Sequence, residues 1–295
     1  MMPVHVVVNL DKPGGITSHD AVAKVKRSLR VKRAGHAGTL DPIATGVLLV
    51  CVGEATKVSR FLMDLGKEYL ATLKFGERTD TLDSQGRVIE RVEGMVVERE
   101  DVERVLRGFR GTVTQKPPMY SAVKVSGTAL HKLARKGLDV QRPSRTVTIH
   151  DIRVEDMDFP FLTLRVSCSR GTYIRTLVDD IGRALGTVAH MTALRRTRVG
   201  SFRAEEAAGP GELPEKAEAM YSVDAALSHL QAVALGEKDY AAARHGRPVR
   251  AGEYGRYEDG QFLRLKGPGG ALFAVGRAQE GLLRVERMLH LEGQG

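Results

Sequence analysis

The sequence predicts an α+β protein, a larger mixed domain followed by a small strand-rich one, on three observations. The chain has 295 residues, 42% of them hydrophobic and 27% charged, which suits two globular domains with sizeable cores. Through the first three quarters, apolar strand-like runs alternate with amphipathic helical patterns. The remainder holds several short strands and one helix in about 65 residues, the pattern of a small β-barrel. Gly209-Pro210-Gly211-Glu212-Leu213-Pro214 has the composition of a linker, but Tyr221 to Leu227 reads as a helix able to pack on the first domain. The boundary is therefore placed later, giving domains 1–230 and 231–295.

Each element has a local reason. Val4 to Leu10 is β-branched and reads as a strand. After the turn at Asp11-Lys12-Pro13-Gly14-Gly15, Thr17 or Ser18 can cap a helix whose Val22, Val25 and Leu29 share one face. Val47 to Val52 is a continuous apolar run, as in a buried strand, and a short helix with Val58, Phe61, Leu62 and Leu65 inward follows. Lys67 to Phe75 alternates like a half-buried strand. Asp80 to Gly86 lacks the acidic spacing of a calcium loop and is read as a turn. Arg99 to Phe109 reads as a helix, Gln115 to Lys124 as a proline-bearing loop, and Leu162 to Ser169 as a strand. A helix with Leu177, Val178, Ile181 and Leu185 apolar comes next. Its adjacent Asp179 and Asp180 cannot face each other, so they are expected to be solvated or capping groups. Glu237 to His245 should be a helix stopped at Gly246, and 262–265, 271–275 and 282–289 read as strands between glycine turns.

The net charge of +9 points to a polyanionic partner, nucleic acid before an anionic membrane. The apolar runs are far too short to span a bilayer, and Met1 to Asp11 shows no signal-peptide pattern. Two cysteines, Cys51 and Cys168, build neither a disulfide framework nor a metal site, so a reducing, cytoplasmic setting is expected. Nucleotide-loop, zinc-protease, serine-hydrolase and dithiol motifs are absent from the sequence. His36 and Asp41 lack a third metal ligand at a recognisable spacing.

One stretch organises the rest. In Gly35-His36-Ala37-Gly38-Thr39-Leu40-Asp41-Pro42-Ile43-Ala44-Thr45-Gly46-Val47-Leu48, a carboxylate sits in a turn between a basic helix and the apolar strand. Gly35 and Gly38 open backbone angles closed to other residues, and Pro42 pushes Asp41 toward an extended conformation. Read alone, Asp41 either starts a strand or is presented for chemistry at the rim of a sheet. This stretch resembles the active-site motif of the TruB family of tRNA pseudouridine synthases. The resemblance extends to DKPGGITSHD, to Tyr69 in KEY, to the QKPPMYSAVK segment, to GTYIRTLVDDIG and to AHMTALRR, in that order from residue 9 to 197.

The resemblance implies the pseudouridine synthase fold: a central mixed, largely antiparallel sheet flanked by helices, with a small C-terminal barrel of PUA type. It implies a thumb-like RNA-binding insertion at 124–146, basic at Lys124, His131, Lys132, Arg135, Lys136, Arg142 and Arg145. It implies Asp41 as nucleophile, Arg175 as its ion-pair partner, and Tyr69 stacked on the flipped base and able to take its C5 proton. Tyr173 and the main chain at Leu194 would line the pocket, His36 would fill the gap left in the RNA, and Lys12 would support the structure. The implied substrate is the uridine at position 55 in the T arm of tRNA, with no cofactor, no metal and a monomeric enzyme. Two other readings stay open: a guide-RNA-dependent synthase of a ribonucleoprotein, and a non-catalytic tRNA-folding factor.

Overall fold

The computed structural model describes residues 4–291 apart from 122, 126, 135, 136, 139 and 214. Strand β1 (Val6–Lys12) leads into helix α1 (Ser18–Ser28), and β2 (Ala34–His36), β3 (Thr45–Val52), the short α2 (Ser59–Met63) and β4 (Lys67–Phe75) follow. A hairpin of β5 (Glu77–Thr79) and β6 (Val88–Arg91) and helix α3 (Arg99–Arg107) precede β7 (Gly111–Gln115). A second hairpin, β8 (Lys124–Val125) and β9 (Thr128–Ala129), leads to α4 (Leu130–Ala134). Then come β10 (Arg145–Asp158), β11 (Phe161–Cys168), α5 (Ile174–Ala184), β12 (Ala189–Val199), β13 (Phe202–Arg203), β14 (Met220–Ser222) and α6 (Val223–Ala226). The last part holds β15 (Gln231–Ala234), α7 (Glu237–Arg244), β16 (Val249–Arg250), β17 (Phe262–Lys266), β18 (Leu272–Gln279) and β19 (Leu282–Met288).

The main sheet runs β14-β1-β3-β12-β4-β11-β10-β7, with β2 on β3 and β13 on β12. Among the described residues its named strands pair antiparallel except β3 with β12, which run parallel, so the sheet is mixed but largely antiparallel. From Val47 to Val52 strand β3 is wholly apolar, in keeping with burial on both its faces. Leu48, Val50 and Val52 pack with α1, α3 and α5, while Val47, Leu49 and Cys51 pack with α2, α6 and β18. That second core ties the C-terminal strands to the main sheet. The second sheet runs β15-β17-β18-β19-β16, a curled half-barrel whose end strands are β15 and β16.

Thr17 caps α1 with a full capping box, its hydroxyl accepting from Asp20 N while Asp20 accepts from Thr17 N. Ser18 has another use, described below. Strand β4 spans Lys67–Phe75 as the alternation predicts, with every second residue buried. Of 221–227, only Val223–Ala226 is helical, and Tyr221 pairs with Val7 in the sheet. Gly35 lies in β2 without a positive φ, whereas Gly38 and Gly46 have φ of 104° and 96°. The thumb expectation falls partly on Arg135 and Lys136, which lie outside the described residues, as do the side chains of Lys124, His131 and Lys132. Strand β10 already begins at Arg145. Among the described residues, no helix is long and apolar enough to cross a membrane.

Candidate active site

The Asp41 loop is clasped from several sides. Ser18, 2% exposed, gives its hydroxyl to Leu40 O at 3.0 Å and accepts from Leu40 N at 2.9 Å. Gly15 N donates to Pro42 O at 2.8 Å, and Ala44 N donates to Asp41 O at 3.0 Å. Lys12 is fully buried and its ammonium donates to Pro13 O, Ile16 O and Pro42 O. Burial pushes Lys12 down to about 8, with Asp41 opposing. The N-terminal motif therefore acts on the site through the main chain, and Lys12 stands as a support under the loop.

Arg175 reaches Asp41 from the first turn of α5. Its Nη2 donates to Asp41 Oδ1 at 3.1 Å and to Tyr120 O at 2.8 Å, and its Nε stands 3.0 Å from Oδ2 without hydrogen-bond alignment. Nη1 donates to Thr81 O at 3.0 Å and lies 3.4 Å from Asp83 Oδ2. The start of α5 is held in turn by Gln115, whose amide pairs both ways with the Tyr173 main chain, Nε2 to O at 3.2 Å and N to Oε1 at 2.9 Å. Arg175→Ala is expected to cut turnover by at least about 100-fold. Binding of RNA should largely survive, since Arg175 is 5% exposed and its guanidinium is engaged by Asp41, Tyr120, Thr81 and Asp83. A filter-binding titration in which affinity collapses alongside turnover would sink that assignment.

Asp41, Tyr69, Tyr173, Arg175 and Leu194 line one cleft of about 910 Å³. Its far wall comes from α2 and Phe262 of β17. His36 and Lys12 lie outside the walls. His36 sits on β2, half-buried and edge-on to His19 with ring centroids 5.2 Å apart. Burial, then His19 and Arg196, hold His36 below the usual imidazole range. Burial pushes the Asp41 carboxyl above the usual carboxylate range; Arg175 opposes and Asp83 adds to the rise. Burial also pushes the Tyr69 hydroxyl up, with Arg196 the chief opposing charge.

Two residues escape a reading of the sequence. Asp83 belongs to the 80–86 turn, where only its turn chemistry is visible, yet it is 5% exposed and faces Arg175. It is a second carboxylate near Asp41, but Thr81 Oγ1 and Gln85 N occupy it and it does not line the cleft. Arg196 is 1% exposed and lines the cleft beside Tyr69. Asp179, expected to be solvated or capping, is instead buried and paired with Arg78 and Arg183, because α5 turns it toward β5.

Two family models match adjoining stretches, the second beginning at Arg175. One is described as TruB family pseudouridylate synthase, N-terminal domain, and covers residues 26–174; the other is the tRNA pseudouridylate synthase B C-terminal domain, covering 175–231. The chain belongs to the TruB family. That membership makes it an enzyme of the pseudouridine synthase class, an isomerase. It is 42% identical to tRNA pseudouridine synthase B of Cupriavidus metallidurans, over 98% of this chain and 95% of that one. It is 45% identical to the protein of the same name from Haemophilus influenzae Rd, over 82% of this chain and 80% of that one. Among solved structures it resembles an H/ACA RNP bound to a substrate RNA containing 2'-deoxyuridine, with a TM-score of 0.76 at 27% identity, covering 97% of this chain and 85% of that one. A Cbf5-Nop10-Gar1 complex gives 0.74 at 30% identity, covering 97% and 84%.

Proposed function

We propose that this TruB-family chain converts the uridine at position 55 in the T arm of tRNA to pseudouridine, with Asp41 as nucleophile. The observation that carries the reading is the Asp41 carboxylate, braced by buried Arg175, in a cleft able to hold one extruded base with its sugar. A carboxylate can attack the sugar C1′, or take a proton from the sugar, without first being deprotonated. The C1′–N1 bond breaks, the uracil turns over, C5 joins C1′, the C5 proton leaves and N1 takes one up. Atoms and electrons balance with no external redox partner, so the reading needs no cofactor or metal. Tyr69 would stack on the base and accept the C5 proton, Tyr173 and Leu194 would hold its edges, and His36 would occupy the gap in the RNA.

Substrate choice rests on the relatives. Those named tRNA pseudouridine synthase B are 40–45% identical to this chain where they align, against 27–30% for the ribonucleoprotein structures. The same reading divides the chain into a catalytic part, 1–230, and a PUA-like RNA-binding part, 231–295, and takes it as a monomer working in the cytoplasm. Support for the division comes from β15, which opens the second sheet at Gln231.

The deciding experiment is pseudouridine formation on an unmodified tRNA transcript by the isolated protein. Turnover on bare tRNA supports the reading; binding without turnover would favour the guide-dependent or tRNA-folding roles. Lys24, Arg27, Arg30 and Lys32 along and after α1 are exposed and form no ion pair among the described residues. They are placed to meet phosphates beside Asp41. Affinity should therefore fall by about 10²-fold between about 50 and 200 mM salt, as fewer counterions are usefully released. A flat salt titration would remove phosphate contact from the proposal.

A further inference from the structure

Arg196 is buried on β12, and among the described residues no carboxylate lies within ion-pair distance of it. Its strand neighbours Arg195 and Arg198 pair with Asp11 and Glu68. A guanidinium keeps its charge at any pH the fold survives. Enclosing it without a counter-ion is costly, and an apolar side chain could fill the volume at less cost. A use for the charge is therefore to be sought where it points.

Its donors go to main-chain carbonyls at both ends of the Asp41 loop. Nε donates to Val47 O at 2.6 Å, Nη2 to Gly38 O at 3.3 Å and Nη1 to Thr39 O at 3.5 Å. Gly38 and Thr39 enter the loop and Val47 leaves it, so one planar group bolts the two ends together. Across the β12–β4 pairing, Arg196 stands opposite Tyr69. Lys12 and Lys67, both pushed down to about 8 by burial, also feel its field.

Resting on the functional reading above, we propose that Arg196 is a positioning residue of the reaction. It fastens the Asp41 loop to β3 and sets an unshared positive charge against the Tyr69 hydroxyl, holding carboxylate and phenol on two sides of one base. A cation facing that oxygen favours the phenolate, the form able to take the C5 proton. The pair of the broken C5–H bond stays in the ring. The phenol's own proton, lost to water beforehand, is matched by the one N1 takes from water.

Arg196→Gln removes the charge and Arg196→Lys keeps it. The test is single-turnover pseudouridine formation on a tRNA transcript across pH, with wild type, both variants, Tyr69→Phe and the Tyr69→Phe/Arg196→Gln double variant. Arg196→Gln is expected to be slower by about 100-fold at neutral pH, to recover in part at alkaline pH, and to keep its tRNA affinity. Arg196→Lys should regain part of the rate at neutral pH, and on the Tyr69→Phe background Arg196→Gln should cost less than it does alone. If Arg196→Gln does not fold, the Arg196→Lys pH profile decides. A loss equal at every pH and fully additive with Tyr69→Phe would mark Arg196 as structural only. Rates within about twofold of wild type in both variants would also overturn the proposal. An inactive wild type would instead bring down the functional reading, and this proposal with it.

Discussion

Asp41→Asn is expected to abolish pseudouridine formation, by at least about 10⁴-fold, while tRNA binding survives. The substitution keeps the shape of the side chain and leaves an amide oxygen where Arg175 Nη2 now donates to Oδ1. The loop itself is held through main-chain groups at Leu40, Pro42 and Ala44, none of which changes. What disappears is the charge and, on the proposed reading, the nucleophile. A pH dependence follows from the same environment. Burial and Asp83 raise the Asp41 carboxyl against Arg175 and Lys12. The acid limb of kcat/KM should therefore lie above the ordinary carboxylate value of about 3.9, with the rate rising as pH rises and Asp41 ionises. The sign for stability is the reverse. A carboxyl raised in the folded state binds more protons there than in the unfolded chain, so its contribution to stability is lost as pH rises through that window. Asp41→Asn should thus melt no lower than wild type at neutral pH, with any advantage shrinking in acid. Full turnover by the Asn variant, or an acid limb at or below the ordinary range, would contradict this account.

The parts legible in the sequence are those governed by neighbours along the chain. Strand β4 keeps a strict two-residue period over Lys67–Phe75, and the Thr17 cap is a four-residue pattern, so both can be read directly. The motifs around Asp41, Tyr69, Tyr173, Arg175 and Leu194 named residues that do line one cleft. Strand β10 is harder, because register shifts between Ile149 and Asp151 and between Val154 and Asp156 break its period. Strand β12 carries shifts after Met191 and Arg196 and buries an arginine, a residue type normally exposed. Asp83 looks like any turn aspartate until the fold brings Arg175 against it. Ser18 looks like a second candidate cap, and its grip on Leu40 is visible only once α1 and the loop are placed together. Legibility fails where the partner of a side chain is distant in sequence.

Gly46→Ala is expected to destabilise the fold by more than about 4 kcal/mol, enough to lower the melting temperature by at least about 8 °C or to prevent folding. Gly46 pairs with Lys12 of β1 on one side and in parallel with Arg196 of β12 on the other. Its φ of 96° is strained for any residue with a side chain. A Cβ there would stand 2.9 Å from Arg196 N and C and closer still to Arg196 O. These are main-chain atoms of a central strand, so no flexible side-chain end can move aside. Gly246→Ala is the control: its φ is 75°, and nothing lies within 4 Å of the Cβ it would gain. It carries the backbone strain without the collision and should cost only about 1 kcal/mol. Equal melting temperatures for the two variants would show that β3 and β12 do not approach so closely. A large gap would place the cost at the joint between the two strands, where the Asp41 loop is anchored to Arg196. Any Gly46→Ala protein that still folds must part these strands, and it should lose turnover out of proportion to its lost stability.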